Sequence, residues 1–253
     1  MIKFIFYTIV SLSLLSVAFA QLNETDEKGR KQGEWVKLYP NSSIPIYKGQ
    51  FVDDQPTGTF TYYYPNNKVK SIVHHDHKTG RSEAFMYGDD KQLMAHGIFY
   101  NQKKDSVWTH FNFLGTLSFK ETYKNDVLHG KKTVYYIPAS PEDKRNRILQ
   151  EQHFENGELN GPVREFFPDG VLKKEGNYRN GRPDGLVKHY RPDGTLDYEE
   201  RWKNRQKHGW WMAYDSQGKE VARRYFYKGE ELSGKELEAH LKKLKAQGIN
   251  PNN

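Results

Sequence analysis

Apolar and polar positions recur along this chain at an interval of about 24 residues. Gly185-Leu-Val-Lys-His-Tyr190 is followed by Gly209-Trp-Trp-Met-Ala-Tyr214, the same pattern written twice. Set in register, the opening positions are Gly33, Gly58, Arg81, Ser106, Gly130, Gly161, Gly185 and Gly209. Five residues further on stand Leu38, Tyr63, Met86, Phe111, Tyr135, Phe166, Tyr190 and Tyr214, all apolar or aromatic. Two residues after the opening stand Trp35, Phe60, Trp108, Val163, Val187 and Trp211, with Glu83 and Lys132 breaking that column.

Turn residues come next, as in Pro65-Asn-Asn67, Pro168-Asp-Gly170, Pro192-Asp-Gly194 and Ser216-Gln-Gly218. Proline presets φ near −65°, and Asn or Gly accepts the left-handed backbone of a tight turn. An aliphatic residue then recurs at Ile44, Val69, Leu93, Leu117, Ile148, Leu172, Leu196 and Val221. Six residues later come Phe99, Tyr123, Phe154, Tyr178, Trp202 and Tyr227. An even separation puts both columns on one face of a strand. A second turn follows at Asn125, Asn156-Gly157, Asn180-Gly181 and Asn204, and Asn-Gly is the strongest short hairpin signal.

Each unit therefore reads as strand, turn, strand, turn. A fixed period of this size marks stacked supersecondary units. A lone hairpin is marginal in water, so each must lean on the next, and burying one aromatic side chain contributes about 1.5–3 kcal/mol. The opening glycine serves a left-handed residue or a close approach of strands. The pattern predicts an all-β fold: a single elongated array of about eight stacked hairpins over residues 33–232. At about 4.8 Å per strand it would run roughly 75 Å. The one long interval, Gly130 to Gly161, accommodates a seven-residue insertion within 137–148; repeat arrays place insertions in loops on one face.

The ends differ from the middle. Ser233 with Glu236 has the spacing of a capping box, and Leu237, Leu241 and Leu244 share one helical face before Gly248. A short capping helix is predicted over 233–248, covering the unpaired edge of the last hairpin, with a tail at 249–253. Residues 21–32 are polar and read as a flexible lead-in. Residues 1–20 carry one early lysine, an apolar run and a small-x-small end at Ala18-Phe19-Ala20. That is the pattern of a cleaved signal peptide, so the mature chain is expected to be exported, periplasmic or secreted.

The repeating motif resembles the MORN repeat family, and more closely the bacterial variant carried by chains labelled YwqK-type antitoxins. The likeness runs from Gly33 to about Gly229 and is sharpest over Gly161 to Gly185. It implies stacked hairpins in an elongated twisted sheet, used for scaffolding or binding, and it transfers no catalytic residue.

Composition fits. Aromatics make up 14% of the chain and apolar residues 36%, too aromatic for a disordered chain and thin for a deep aliphatic core. There is no cysteine, so disulfides and a thiol nucleophile are excluded. The formal charge of +7 is spread among interspersed acids and bases, unlike the concentrated stripe of a nucleic-acid binder.

Candidate chemistry is sparse. His74, Asp76 and His77 form the one plausible metal trio, since imidazole and carboxylate suit zinc or copper. The repeat offers a simpler account: His75 takes an aromatic position, and His77 takes a turn position where positive φ is tolerated. His129 and His208 precede opening glycines and read as a repeat feature. Glu199 and Glu200 should face opposite sides of a strand, so they cannot flank one glycosidic bond. The sequence has no nucleophile elbow, zinc-protease helix or phosphate loop. No enzyme activity and no cofactor are expected. The expected role is binding or scaffolding toward a protein or envelope partner, with Tyr62, Phe113 and Trp210 as candidate contact aromatics. Alternatives are an anionic membrane surface, an immunity or antitoxin-like role, and carbohydrate binding.

Overall fold

A computed structural model describes residues 22–252. The signal-peptide pattern at 1–20 lies outside the described residues. The chain is one antiparallel meander. It runs β1 (Glu24–Thr25), β2 (Lys31–Leu38), β3 (Pro45–Val52), β4 (Gln55–Tyr63), β5 (Val69–Asp76), β6 (Arg81–Tyr87), β7 (Leu93–Tyr100), β8 (Lys103–Phe111), β9 (Leu117–Lys124) and β10 (Val127–Tyr135). It continues through β11 (Ile148–Glu155), β12 (Glu158–Leu159), β13 (Gly161–Phe166), β14 (Leu172–Arg179), β15 (Arg182–Tyr190) and β16 (Leu196–Lys203). It closes with β17 (Gln206–Lys207), β18 (Gly209–Tyr214), β19 (Glu220–Tyr227), β20 (Glu230–Leu232) and α1 (Gly234–Ala246). β12 and β13 both pair with β11, and β17 and β18 both pair with β16, so each couple is one strand interrupted beside its opening glycine.

The repeat columns are structurally equivalent. Tyr63, Phe111, Tyr135, Phe166, Tyr190 and Tyr214 each sit after a register shift, opposite Val69, Leu117, Ile148, Leu172, Leu196 and Glu220. Three units need a correction of one residue. In the third, Tyr87 opposite Leu93 takes the place predicted for Met86, so the opening residue is Ser82 rather than Arg81. The buried side chain there is Ala84, not Glu83. In the last unit the columns hold Glu220 and Phe226 rather than Val221 and Tyr227, and in the first Pro45 replaces Ile44. Hydrophobic columns misplace where a neighbour of similar character lies one step away.

Gly33, Gly58, Gly130 and Gly185 lie inside their strands, while Gly161 and Gly209 open β13 and β18 just past the interruption. Gly33, Gly58, Gly130, Gly161, Gly185 and Gly209 all have positive φ, as does Ser106 in the same column. Most form a bulge: Gln50 pairs with Thr57 and Lys48 with Thr61, leaving two extra residues on the glycine strand. The third unit lacks both the left-handed residue and the bulge, since β5 and β6 pair without a shift. Its missing residues reappear in a longer turn, 77–80, so the period is kept. There Gly80 supplies the positive φ (+70°); His77 does not.

Bulging lets one strand's large side chain lie over its neighbour's backbone. Phe60 lies over Gly49, Trp108 over Gly97 and Val187 over Gly176, each where a Cβ would collide. Rings then meet within and between units: Trp35 with Phe51 at 5.9 Å inside the first, and Phe51 with Phe60 at 5.2 Å, Phe99 with Trp108 at 4.9 Å and Trp202 with Trp211 at 5.4 Å from one unit to the next. Phe60, Val73, Ala84, Ala95 and Trp108 form the buried cluster of the N-terminal half. Lys132 interrupts the ladder as its sequence suggests, bonding the buried Glu121 at 2.8 Å.

Both turn edges are stitched between units. On one, the hydroxyls of Tyr39, Tyr64 and Tyr136 donate to the carbonyls of Tyr63, Tyr87 and Phe166 in the next unit, at 2.8, 2.8 and 2.7 Å. On the other, two-residue turns such as Asn125-Asp126 and Asn180-Gly181 have both residues at positive φ, the hairpin geometry their sequence requires. The insertion is a loop closed by Tyr136 N–H to Arg147 O, 2.8 Å, with Arg145 and Arg147 both paired to Asp143.

Residues 22–30 are tied down rather than free: β1 pairs with β2, and Asp26 accepts bonds from the Lys28 and Arg30 amides. At the other end, α1 lays His240 against Tyr225 and Tyr227, and Pro251 O accepts the Tyr225 hydroxyl at 3.0 Å. Ser233 is extended as an N-cap should be, but its side chain caps nothing. The helix enters through Gly234 at φ +50°, and the capping box with Glu236 does not form.

Candidate binding surface

The residue after each Tyr63-type position closes the first turn of its unit by donating its N–H across it. Tyr39, Tyr64, Tyr136 and Phe167 do this with a ring to spare, and Asn112, Arg191 and Asp215 with a polar side chain; in the third unit the position is Gly88, whose N–H reaches Gln92 O at 2.9 Å. A recess of about 700 Å³ opens between the turns of the second, third and fourth units, where this position holds Gly88 and Asn112 rather than a ring. Its walls are Tyr64, Leu93, Phe111, Met94 and Phe113, the last two 53% and 72% exposed. Its rim carries Asp89, Asp90 and Gln92. Asp90 caps its own turn, Oδ1 accepting the Gln92 amide at 3.0 Å. Asp89 is exposed and makes no hydrogen bond or ion pair, although Lys91 stands in the same turn.

Phe113 is thus one of the walls, but the other two candidate aromatics are elsewhere. Tyr62 packs into the core cluster against Tyr47 and Phe60, with ring centroids 5.9 and 6.1 Å away. Trp210 meets Tyr225 edge-on at 5.1 Å, carries Arg223 over its ring, and lies by Asn252 of the tail. The structure does not bring the three together. Sequence reasoning missed Gly88, Met94 and Asp89 because opening the third unit at Arg81 puts Tyr87 in the turn column and conceals the missing ring. The one-residue shift to Ser82 is the signal that reveals it.

The polar candidates are dispersed. His74 Nδ1 meets the Thr59 hydroxyl and His77 Nδ1 the Thr57 hydroxyl, each at 3.0 Å, while Asp76 caps the 77–80 turn through Lys78 and Thr79. They do not converge on a point that could hold a metal. His75 packs edge-on against Phe60 and bonds Ser82 at 2.8 Å, as an aromatic-column residue should. His129 accepts the Asn156 amide at a long 3.5 Å, and His208 is buried beside Tyr227. Glu199 pairs with Arg201 and Glu200 with His189, on opposite faces.

Burial sets the titration of these groups. It pushes the imidazoles of His75 and His110 below their ordinary range, although Glu121 pulls His110 the other way. Burial, reinforced by a bond to Glu121, pushes the Tyr123 hydroxyl up to about 12. Tyr190 rises to about 12 through burial and its bond to Glu175.

The model of the MORN repeat variant matches residues 56–77, 159–180 and 183–204. Each segment starts two residues before an opening glycine, one residue inside the strand. The match speaks to the repeat and not to an antitoxin role. No curated protein matches the chain. Among solved structures, a mutant S. aureus TarM in complex with fondaparinux, α-GlcNAc-glycerol and UDP is 9% identical over 50% of this chain and 19% of that one, with a TM-score of 0.25. A second TarM structure is 9% identical over 51% and 20%, with a TM-score of 0.23. The chain spans about a fifth of the TarM length, and at these scores neither likeness bears on fold or activity.

Proposed function

We propose that this chain, a member of the MORN-repeat family, is an exported scaffold without catalytic activity that binds a protein of the cell envelope. MORN repeats are in general binding or scaffold modules. One observation carries the finer reading: a recess of about 700 Å³ opens on the turn edge and is walled by Tyr64, Met94, Phe111 and Phe113. An apolar cleft with a few polar groups is a site for recognition. Exposed aromatic and Met side chains of this kind are enriched where proteins meet. Export rests on the pattern of residues 1–20.

The test is expression of the full chain from its own start, followed by fractionation and crosslinking mass spectrometry. The expected result is a mature protein beginning at Gln21, outside the cytoplasm, crosslinked reproducibly to one or a few envelope proteins. An intact Met1 in the cytoplasm would overturn export, and random crosslinks would overturn the scaffold role. A second reading has its own support: Arg179 and Arg224 stand 72% and 70% exposed, in surface ion pairs with Asp184 at 2.9 Å and Glu231 at 3.8 Å that an anionic surface could replace. Each basic residue near such a surface contributes about 1 kcal/mol, so vesicle co-sedimentation that strengthens with anionic lipid and fails in high salt would favour lipid over protein.

A further inference from the structure

We propose that the Gly88 recess is a socket for a basic segment of a partner polypeptide: an apolar side chain enters between Tyr64, Met94 and Phe113, and a neighbouring Lys or Arg meets Asp89 and Asp90. This rests on the scaffold reading above and names the chemistry of its partner.

Three observations carry it. First, the cavity lies where two successive units, at Gly88 and Asn112, have no ring at the turn. The flanking Tyr64 is kept, and its hydroxyl still bonds Tyr87 O at 2.8 Å, so the wall is fixed before any partner arrives. Gly88 has no side chain and its φ is ordinary, so the backbone does not demand glycine there; a Cβ at this position would meet Asp90 Oδ1 at 2.6 Å, so the Asp90 carboxylate folds over Gly88. Elsewhere the same position holds a ring in Tyr39, Tyr64, Tyr136 and Phe167 and a polar side chain in Asn112, Arg191 and Asp215, so this geometry accommodates side chains up to the size of a ring. Second, the exposed walls are apolar in a way that folding does not use: Phe113 and Met94 are left largely in water. Third, the charge runs against the molecule. The chain carries a formal +7, yet the recess has two adjacent carboxylates on its rim, one of them unpaired. Complementary charge sets which partner is accepted and how fast it arrives. An acidic segment would be repelled by Asp89 and Asp90, and a purely apolar one would leave them unpaired.

The experiment is selection of a random peptide display library on the mature protein, with the enriched peptides then measured by fluorescence polarisation. Enriched peptides should pair an aromatic or aliphatic residue with Lys or Arg within two positions. Gly88→Tyr should fill the socket and weaken them at least tenfold. Asp89→Asn with Asp90→Asn keeps the turn chemistry, since Asn66 caps the preceding turn in the same way, and should weaken them about tenfold and flatten their salt dependence. The thermal melt of the double Asn variant should match the wild type; Gly88→Tyr must push Asp90 aside, and where its melt falls the double Asn variant decides. Peptides lacking a basic residue, peptides that bind Gly88→Tyr unchanged, or no enrichment at all would overturn the proposal. Selection of sugars, quaternary ammonium compounds or a second copy of this chain at the recess would do so too. Failure of the scaffold reading looks different. An envelope partner found by crosslinking that binds Gly88→Tyr normally leaves the scaffold standing and removes the socket.

Discussion

Trp108 shows what a single residue does here. It is wholly buried, its indole N–H donates to Ile98 O at 3.0 Å, and its ring lies over Gly97 where a Cβ would collide. Truncating Trp108 to Ala should cost about 3–5 kcal/mol, the range for a large core aromatic. Gly97→Ala should cost about 1–3 kcal/mol by overpacking. Because the two share one contact, their effects should not add: in the Trp108→Ala background, Gly97→Ala should cost under about 1 kcal/mol. Urea denaturation of the four proteins checks this, and strict additivity would separate the ring from the glycine. Titration gives a second residue-scale expectation. His75 and His110 have folded-state affinities for protons below that of the unfolded chain, because burial opposes their charge. Above about pH 6.5 both states are neutral and nothing is lost. As pH falls below it, the unfolded chain takes up protons that the folded chain resists, so stability should decline. Denaturation midpoints between pH 7.5 and 5 should fall, and His75→Phe, which restores the column's usual aromatic, should reduce the slope. A flat profile would mean that these imidazoles titrate freely in the fold.

Among the elements, the two-residue bulge is what turns a strand pair into a repeat. Gly185 has φ +86° with open space where a Cβ would go, so Gly185→Ala tests the backbone alone. It should lower stability by about 1–2 kcal/mol, the cost of a left-handed side-chain-bearing residue. Ser106 already carries that cost at φ +59°, and Ser106→Gly should raise stability by up to about 1 kcal/mol once the looser unfolded chain is counted. Thermal melts of the two variants moving the same way would contradict this account of the column. The turns and apolar columns were legible in the sequence because Asn-Gly, Pro-Asp-Gly and alternating rings each carry a local steric meaning. Less legible was whatever depended on pairing. Glycine recurrence does not say whether the residue begins a strand or bulges inside one, and Arg81 and Ser82 cannot be told apart without knowing that Tyr87 faces Leu93. That same slip hid Gly88, so the recess was out of reach although Phe113 was in view. Tyr62 and Trp210 look alike in sequence as spare aromatics; only their neighbours, Phe60 and Tyr225, show that both are already used.

At the scale of the whole molecule the defining property is openness. The accessible surface is 17489 Å², against roughly 12,000 Å² for a compact chain of this mass. Side chains bury one another along the ribs rather than around a common centre, and the recess lies at the turn edge where a unit departs from its neighbours. Solution scattering from the mature chain measures this directly. A row of strands spaced about 4.8 Å apart should give a radius of gyration above roughly 22 Å with a long-tailed distance distribution. A value near 18 Å, that of a compact domain of this length, with a symmetric distribution would contradict the array and with it the scaffold built on it.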